Sequence, residues 1–444
     1  TPFTNEALDI DGSLFLYHEV PTNGIGYLDL MFDLSDVPEK DLPMVGLLQA
    51  VLGIIDTEHY EYGELFNEIN RHTGGIETSL ELYPDVMKVK EKEFKATFEI
   101  KGKALYGQIP FAIRMMKEIL TASKLDDEKR LKEILSMTKT RLQDRFLSAG
   151  HSAAALRAMS YKSPISKFKD ATNGIEYYQN IREMEEHFDE KKEEIISGLK
   201  ALSELLFRKG NVMISYTASR EGLAVLEEEI GSLKEALYPE RTPESRCILH
   251  CEKKNEGFKT SSKVQFAAKA GNFIDAGEEY NGALQILKVI MSYEYLWINI
   301  RVKGGAYGCM SNFNRIGEGY FVSYRDPNLG RTLEIYDGVP EYLKNFNVDD
   351  RDMNKFIIGT ISNIDQPMTP ATKGDRSMNL YMNHVSAEMI RKEREQILTA
   401  NQEDIRALAG VARAVLANDQ ICVIGNEAKI EEEKELFMTV ENLF

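Results

Sequence analysis

"RHTGGIETSLELY" (Arg71–Tyr83) and "RVKGGAYGCMSNF" (Arg301–Phe313) share one pattern, Arg-x-x-Gly-Gly followed by an alternating, strand-like run. The two arginines lie 230 residues apart in a chain of 444, about half its length. Glycine inside a regular element costs roughly 0.5–1 kcal/mol relative to alanine, so a pair marks backbone that needs unusual angles or a close approach. A fixed-offset pattern is first tested as an internal repeat.

The surroundings repeat as well. A helical stretch precedes each glycine pair, "YGELFNEINRH" and then "ALQILKVIMSYEYLWINI". Further helices follow, "GQIPFAIRMMKEIL" in one half and "RTLEIYDGVPEYLKNF" in the other. The first half closes with "EKKEEIISGLKALSELLF", in which Ile195, Ile196, Leu199, Leu202 and Leu206 keep helical spacing, then the strand "NVMISY" and the helix "EGLAVLEEEIGSLKEAL". The second half closes with "EDIRALAGVARAVLAN", the strand "ICVIG" and "EAKIEEEKELF". The chain therefore reads as two copies of one α+β domain, 1–240 and 241–444, joined near the Pro- and charge-rich "YPERTPESRC" (Tyr238–Cys247). Alternating runs such as "GYLDLMFDL" and "VMKVKEKEFKATFEI" predict strands with one wet face. They imply antiparallel, mixed-edge sheets of about five or six strands, covered by helices on the other side.

Acidic residues outnumber basic ones, 71 to 54, for a net charge of −17. That balance argues against a nucleic-acid binder, which needs clustered cations. Four cysteines in 444 residues form no disulfide framework and point to a reducing compartment. Within "CILHC" (Cys247–Cys251), the C-x3-C spacing is not a zinc-knuckle pair and reads as alternate residues of a strand. The longest nearly apolar run, Pro43–Ile55, is shorter than the roughly 18–20 residues that span a bilayer, so no membrane partner is expected. The opening "TPFTNEALDI" has neither a basic flank nor an apolar core, so it does not read as a secretory signal.

Arg301 and Tyr307 are an even number of residues apart, so an extended backbone would put both on one face. Such a face suits a peptide carbonyl or carboxylate, although a strand-entry bulge with a surface arginine explains the pattern equally. The first copy has Glu77 where the second has Tyr307, which marks the glycine pair itself as a feature of the fold. "SYRDPN" reads as a turn, and His384 as an ordinary helix histidine.

Three motifs together, "RVKGGAYG", "SYRDPNL" (Ser323–Leu329) and "SNIDQPMTPATKG" (Ser362–Gly374), resemble the C-terminal half of the presequence-protease branch of the inverzincin (insulinase-like, pitrilysin, M16) metalloproteases. The opening "HEVPTNGIGYLDLMFDL" (His18–Leu34) is similar to the start of that half. The resemblance implies two homologous halves of two domains each, closing like a clamshell on an unfolded peptide. It implies a zinc ion held by an H-x-x-E-H helix of the N-terminal half, whose glutamate is the general base. By motif it places the substrate-gripping arginine on Arg301 and the oxyanion-stabilising tyrosine on Tyr307, with Gly304 and Gly305 letting the substrate backbone approach.

The seven histidines are His18, His59, His72, His151, His187, His250 and His384, and no two are four apart, as that motif requires. No zinc bound by this chain is expected; the zinc belongs to a partner N-terminal half. The leading expectation is thus half of a zinc metalloendopeptidase, inactive alone, in a bacterial cytoplasm or an organelle matrix. The alternatives are a non-catalytic structural or regulatory subunit of the same superfamily, core-protein-like, and a stand-alone peptide-binding module.

Overall fold

A computed structural model describes residues 5–444, so Thr1–Thr4 of the opening stretch lie outside it. The first copy builds β1 (Glu6–Ile10), β2 (Ser13–Glu19), β3 (Ile25–Asp33), β4 (Ile76–Pro84), β5 (Phe94–Leu105) and β6 (Val212–Ala218). The second builds β7 (Glu256–Thr260), β8 (Phe266–Asn272), β9 (Gly308–Phe313), β10 (Glu318–Tyr324), β11 (Gln420–Asn426) and β12 (Thr439–Asn442). The two six-stranded sheets run β1-β2-β6-β3-β5-β4 and β12-β7-β11-β8-β10-β9. Five consecutive places therefore carry equivalent strands, and the duplication is topological. Only the sixth differs. In the first sheet the edge is the hairpin β1–β2, turned by Asp11 and Gly12, both at positive φ, a two-residue turn that suits strand twist. In the second it is the late strand β12, parallel to β7.

Each sheet is mixed. The pairs β2–β6 and β7–β11 are parallel, and most of the remaining ladders are antiparallel. This is the expected antiparallel sheet with a mixed edge, and the parallel pairs arise because a long helical crossover, not a hairpin, delivers β6 and β11. Two local readings change. Strand β5 begins only at Phe94, since Val86–Lys92 forms turns, and Cys247–Cys251 lies in a connection without regular structure.

One face of the first sheet buries Phe15, Tyr17, Leu28, Leu30, Phe32, Phe98 and Ile100 against helices. Among these, Leu42–Val51 is apolar on nearly every side, as a helix enclosed by others must be. The outward faces are covered reciprocally. Helix Glu128–Ser160, from the first copy, crosses β8, β10 and β11 of the second sheet. It bends at Ala149 (φ −137°, ψ 39°) and brings Gly150 onto Phe266, where a Cβ would lie 2.6 Å from the ring. Helix Pro370–Met382, from the second copy, lies on the first sheet and packs Met378 and Met382 on Leu16, Met31 and Tyr83. At Gly374 a Cβ would come 1.8 Å from Thr217 Oγ1, so the helix sits closer than any larger residue permits.

A buried ion cluster ties the copies together. Arg157 donates through Nη1 to Asp170 (2.6 Å) and through Nε and Nη2 to Glu256 at the start of β7 (2.8 and 3.1 Å). Tyr161 Oη donates to the same Glu256 (2.9 Å). No helix among the described residues is long and apolar enough to cross a membrane.

Candidate functional site

The segment before the second glycine pair is not extended. Trp297–Val302 continues from helix Ala283–Tyr293 as a π-helical turn, and Arg301 lies within it. The even spacing of Arg301 and Tyr307 therefore does not set their facing. Helical spacing instead lays the Arg301 guanidinium 4.2 Å from the centre of the Trp297 ring, one turn earlier. Arg301 is exposed and forms no ion pair with a carboxylate among the described residues.

The glycines stop this helix. Gly305, at φ +86°, donates its N–H to Arg301 O (2.9 Å), and Ala306 N–H reaches Ile300 O (3.1 Å). A Cβ on Gly304 would sit 2.5 Å from Ile300 O. Tyr307 follows at the mouth of the sheet, its N–H on Tyr324 O (3.0 Å) and its side chain 65% exposed. The next strand, β9, is an edge, with one side unpaired in the ladder. Tyr293, Trp297, Ile298, Val302 and Tyr307 make the same stretch an exposed apolar strip.

The turn "SYRDPN" supports this surface. Asp326 is fully buried, and burial raises its carboxyl above the usual range. It accepts from Asn328 N–H (2.9 Å) and Thr332 Oγ1 (2.5 Å). Asn328 Nδ2 then donates to Gly304 O (2.7 Å), and Arg325, at φ +50°, places its guanidinium 5.0 Å from the centre of the Tyr307 ring. Trp297, Arg325 and Asn328 thus belong to the site by position. No spacing rule singles them out, because each acts through a contact between separate segments or across a helical turn that carries on past the point where the chain was expected to become extended.

In the first copy the glycines have the same structural task. Gly75 (φ +115°) ends helix Tyr62–His72, and Gly74 N–H joins Lys103 O (2.7 Å). Arg71, however, pairs with Glu68 (2.7 Å). The histidines are dispersed. His18 contacts Ser215 Oγ (2.9 Å), His59 pairs with Glu118, and His250 with Glu39. His384 is not helical but follows helix Pro370–Met382 at φ +59°, beside Asp85 (3.1 Å). Among the described residues no group of three or more His, Cys, Asp or Glu side chains converges as a metal would require.

Residues 1–184 match the family of domains associated with subfamily C of the M16 peptidases, and residues 255–427 match the "PreP C-terminal domain". The chain is 38% identical over 443 residues to Protein HypA of Clostridium perfringens, covering 100% of this chain and 45% of that protein. It is 30% identical to presequence protease 1 of Arabidopsis thaliana, covering 95% of this chain and 40% of the relative. It thus spans less than half the length of these curated relatives. An M16 peptidase "inactive domain" from Pseudomonas fluorescens shares the fold with a TM-score of 0.65 at 15% identity, covering 95% of this chain and 98% of that one. Pitrilysin does so with a TM-score of 0.62 at 11% identity, covering 96% of this chain and 44% of its own.

Proposed function

The chain belongs to the M16 peptidase family as a presequence-protease-like C-terminal half, and we propose that it completes a zinc-dependent endopeptidase that degrades unstructured peptides in a closing chamber. In this reading 1–240 supplies a chamber wall and 241–444 presents Arg301 and Tyr307 to the substrate. No two of the seven histidines are four apart, and among the described residues no metal-binding cluster forms, so in this reading the metal comes with an N-terminal partner half.

The observation that carries the proposal is the surface around Gly304–Gly305. An exposed phenol and a guanidinium free of carboxylates flank a glycine turn beside the unpaired edge of β9. An extended peptide would add to that edge through main-chain hydrogen bonds. Arg301 would grip a substrate carbonyl with its fork, and Tyr307 would donate to the oxygen on which negative charge develops. A donor so aimed is commonly worth about 10²–10³ in rate. Four unpaired cysteines fit a reducing compartment, bacterial cytoplasm or organelle matrix.

The test is cleavage of a fluorogenic unstructured peptide by this chain, by a zinc-bearing N-terminal half, and by the two mixed, with and without chelator. Chelator-sensitive cleavage confined to the mixture supports the proposal. A non-catalytic subunit predicts no gain on mixing.

A further inference from the structure

The outward face of the second sheet is filled by helix Glu128–Ser160, whose Gly150 and His151 lie on Phe266 and Tyr324. Helix Pro370–Met382 covers the first sheet only in part. Where it stops, beside Ala371 and Asp375, an open cavity of about 460 Å³ remains. Its rim is Phe66, Ile69, Ile76 and the glycine pair Gly74–Gly75, and its floor includes Asp29, Ser215 and Thr217.

The floor has an unmet need. Asp29 is 7% exposed, and its carboxyl oxygens meet no nitrogen or hydroxyl donor among the described residues, only the neighbouring Glu99 carboxyl, with which they can share a proton. Across the ladders it faces Lys101 on β5 and Ser215 on β6. Glu99, fully buried, accepts from Tyr83 Oη and Thr97 Oγ1 (both 2.5 Å) through Oε2, while its Oε1 has Lys101 Nζ at 3.8 Å and the carboxyl also meets Asp29. Lys101 is also drawn to Glu81 (3.6 Å). The Asp375 side chain makes no hydrogen bond or ion pair among the described residues, and Glu77 lines the same wall. Acidic groups here outnumber Lys101 and Lys103. A buried acceptor left unmet costs about 1–3 kcal/mol, and more when charged, so a donor-rich cation is the complement this floor lacks.

We propose that this cavity binds the basic side chain of an extended peptide, a guanidinium or alkylammonium head held by Asp29 and Asp375 with its apolar stem against Phe66 and Ile76. The site is separate from Arg301 and Tyr307 and does not depend on the peptidase reading. Burial and the adjacent Glu99 hold the Asp29 carboxyl well above the usual range, so an arriving cation takes the place of a proton. Glu99, Lys101, Asp375, Glu77 and Glu81 are the titratable groups around it, with His18 behind Ser215. Affinity therefore rises with pH as the Asp29 carboxyl loses its proton, above the range of an ordinary carboxylate.

Calorimetric titration of the 444-residue chain with N-acetyl-Ala-Arg-Ala-amide tests the assignment. The expected result is saturable binding, weakened about tenfold or more in the citrulline analogue and in Asp29→Asn. Asn supplies an amide donor to Glu99, so this variant is expected to stay folded by circular dichroism. Asp375→Asn, at an exposed position, provides a second variant expected to weaken binding without disturbing the core. Absence of saturable binding, equal affinity for the arginine and citrulline peptides, or indifference to both substitutions would overturn the proposal. So would equally tight binding of Ala-Ala-Ala-amide, which would assign the site to a peptide amino terminus.

Discussion

Removing Arg157 isolates the contact that joins the two copies. Its guanidinium makes three charge-assisted hydrogen bonds, one to Asp170 and two to Glu256, and all three side chains are at most 6% exposed. Burial opposes the guanidinium charge, but the two carboxylates outweigh it and hold the Arg157 pKa well above its ordinary value. In Arg157→Met the aliphatic volume remains. Asp170 keeps only Ile175 N–H (3.0 Å), and Glu256 keeps Tyr161 Oη. Two carboxylates are then buried without a cation. Breaking a buried pair from one side costs about 3–5 kcal/mol, a large share of a stability of about 5–15 kcal/mol. Urea unfolding followed by far-ultraviolet circular dichroism would show that loss at pH 7.5. Protonation relieves stranded carboxylates, so the deficit should shrink toward about pH 4. Asp170→Asn and Glu256→Gln added to Arg157→Met should recover most of it, because the stranded charges then disappear. A deficit below about 1 kcal/mol, or one unchanged between the two pH values, would refute the electrostatic account.

Asp29→Asn should stabilise the chain at neutral pH, although it removes a charged group from a polar sheet face. The unfolded carboxyl titrates near about 3.9, while burial raises the folded one, so between those values the folded state binds more protons and stability falls as pH rises. The gain from Asn should therefore be present at pH 7 and vanish below about pH 4 in parallel denaturation curves; a loss at pH 7 would contradict it. Gly305→Ala should cost roughly 1–2 kcal/mol through its left-handed backbone alone, as only Pro327 Cγ lies near the added Cβ (3.5 Å). Asn at this position should cost less, and an Ala variant as stable as the parent would show that the turn relaxes. Tyr307→Phe in the mixed enzyme should lower kcat by about 10²–10³ with KM little changed; an unchanged kcat would place the phenol outside the chemistry.

The duplication was legible because it rests on local signals repeated in one order: a helix stop made of two glycines, alternation after it, and an apolar strand between helices at each end. The Asp11-Gly12 hairpin went unread, although an Asp-Gly pair between strand runs is a local signal of the same kind. What failed was local pattern applied where distant segments decide. "GYLDLMFDL" puts Asp29 on the polar side of its strand, and polar was read as wet. That side is covered by a helix more than 340 residues further along the chain. The parity of Arg301 and Tyr307 failed similarly. The stretch up to "LWINI" reads as helical, but the parity assumed that the chain is extended from Arg301 onward; the helix instead runs on through Val302 and is ended by the glycines.

The reciprocal covering explains why the two copies offer such different surfaces from one topology. A sheet needs both faces filled, and here each copy fills only one face of its own and lends a helix to the other. The 33-residue helix lent to the second sheet crosses three strands and fills that face, so chemistry there is displaced to the edge, where Arg301 and Tyr307 stand. The 13-residue helix lent to the first sheet touches β2, β6 and β4 but lies toward the Leu16, Met31 and Tyr83 end of the strands. What it leaves open is the floor with the buried Asp29–Glu99 carboxyl pair, beside a glycine pair whose own arginine is already tied to Glu68. A helix-stopping turn common to both copies thus borders an exposed edge in one and a cavity in the other, and the place where the borrowed helix lies on each sheet decides which.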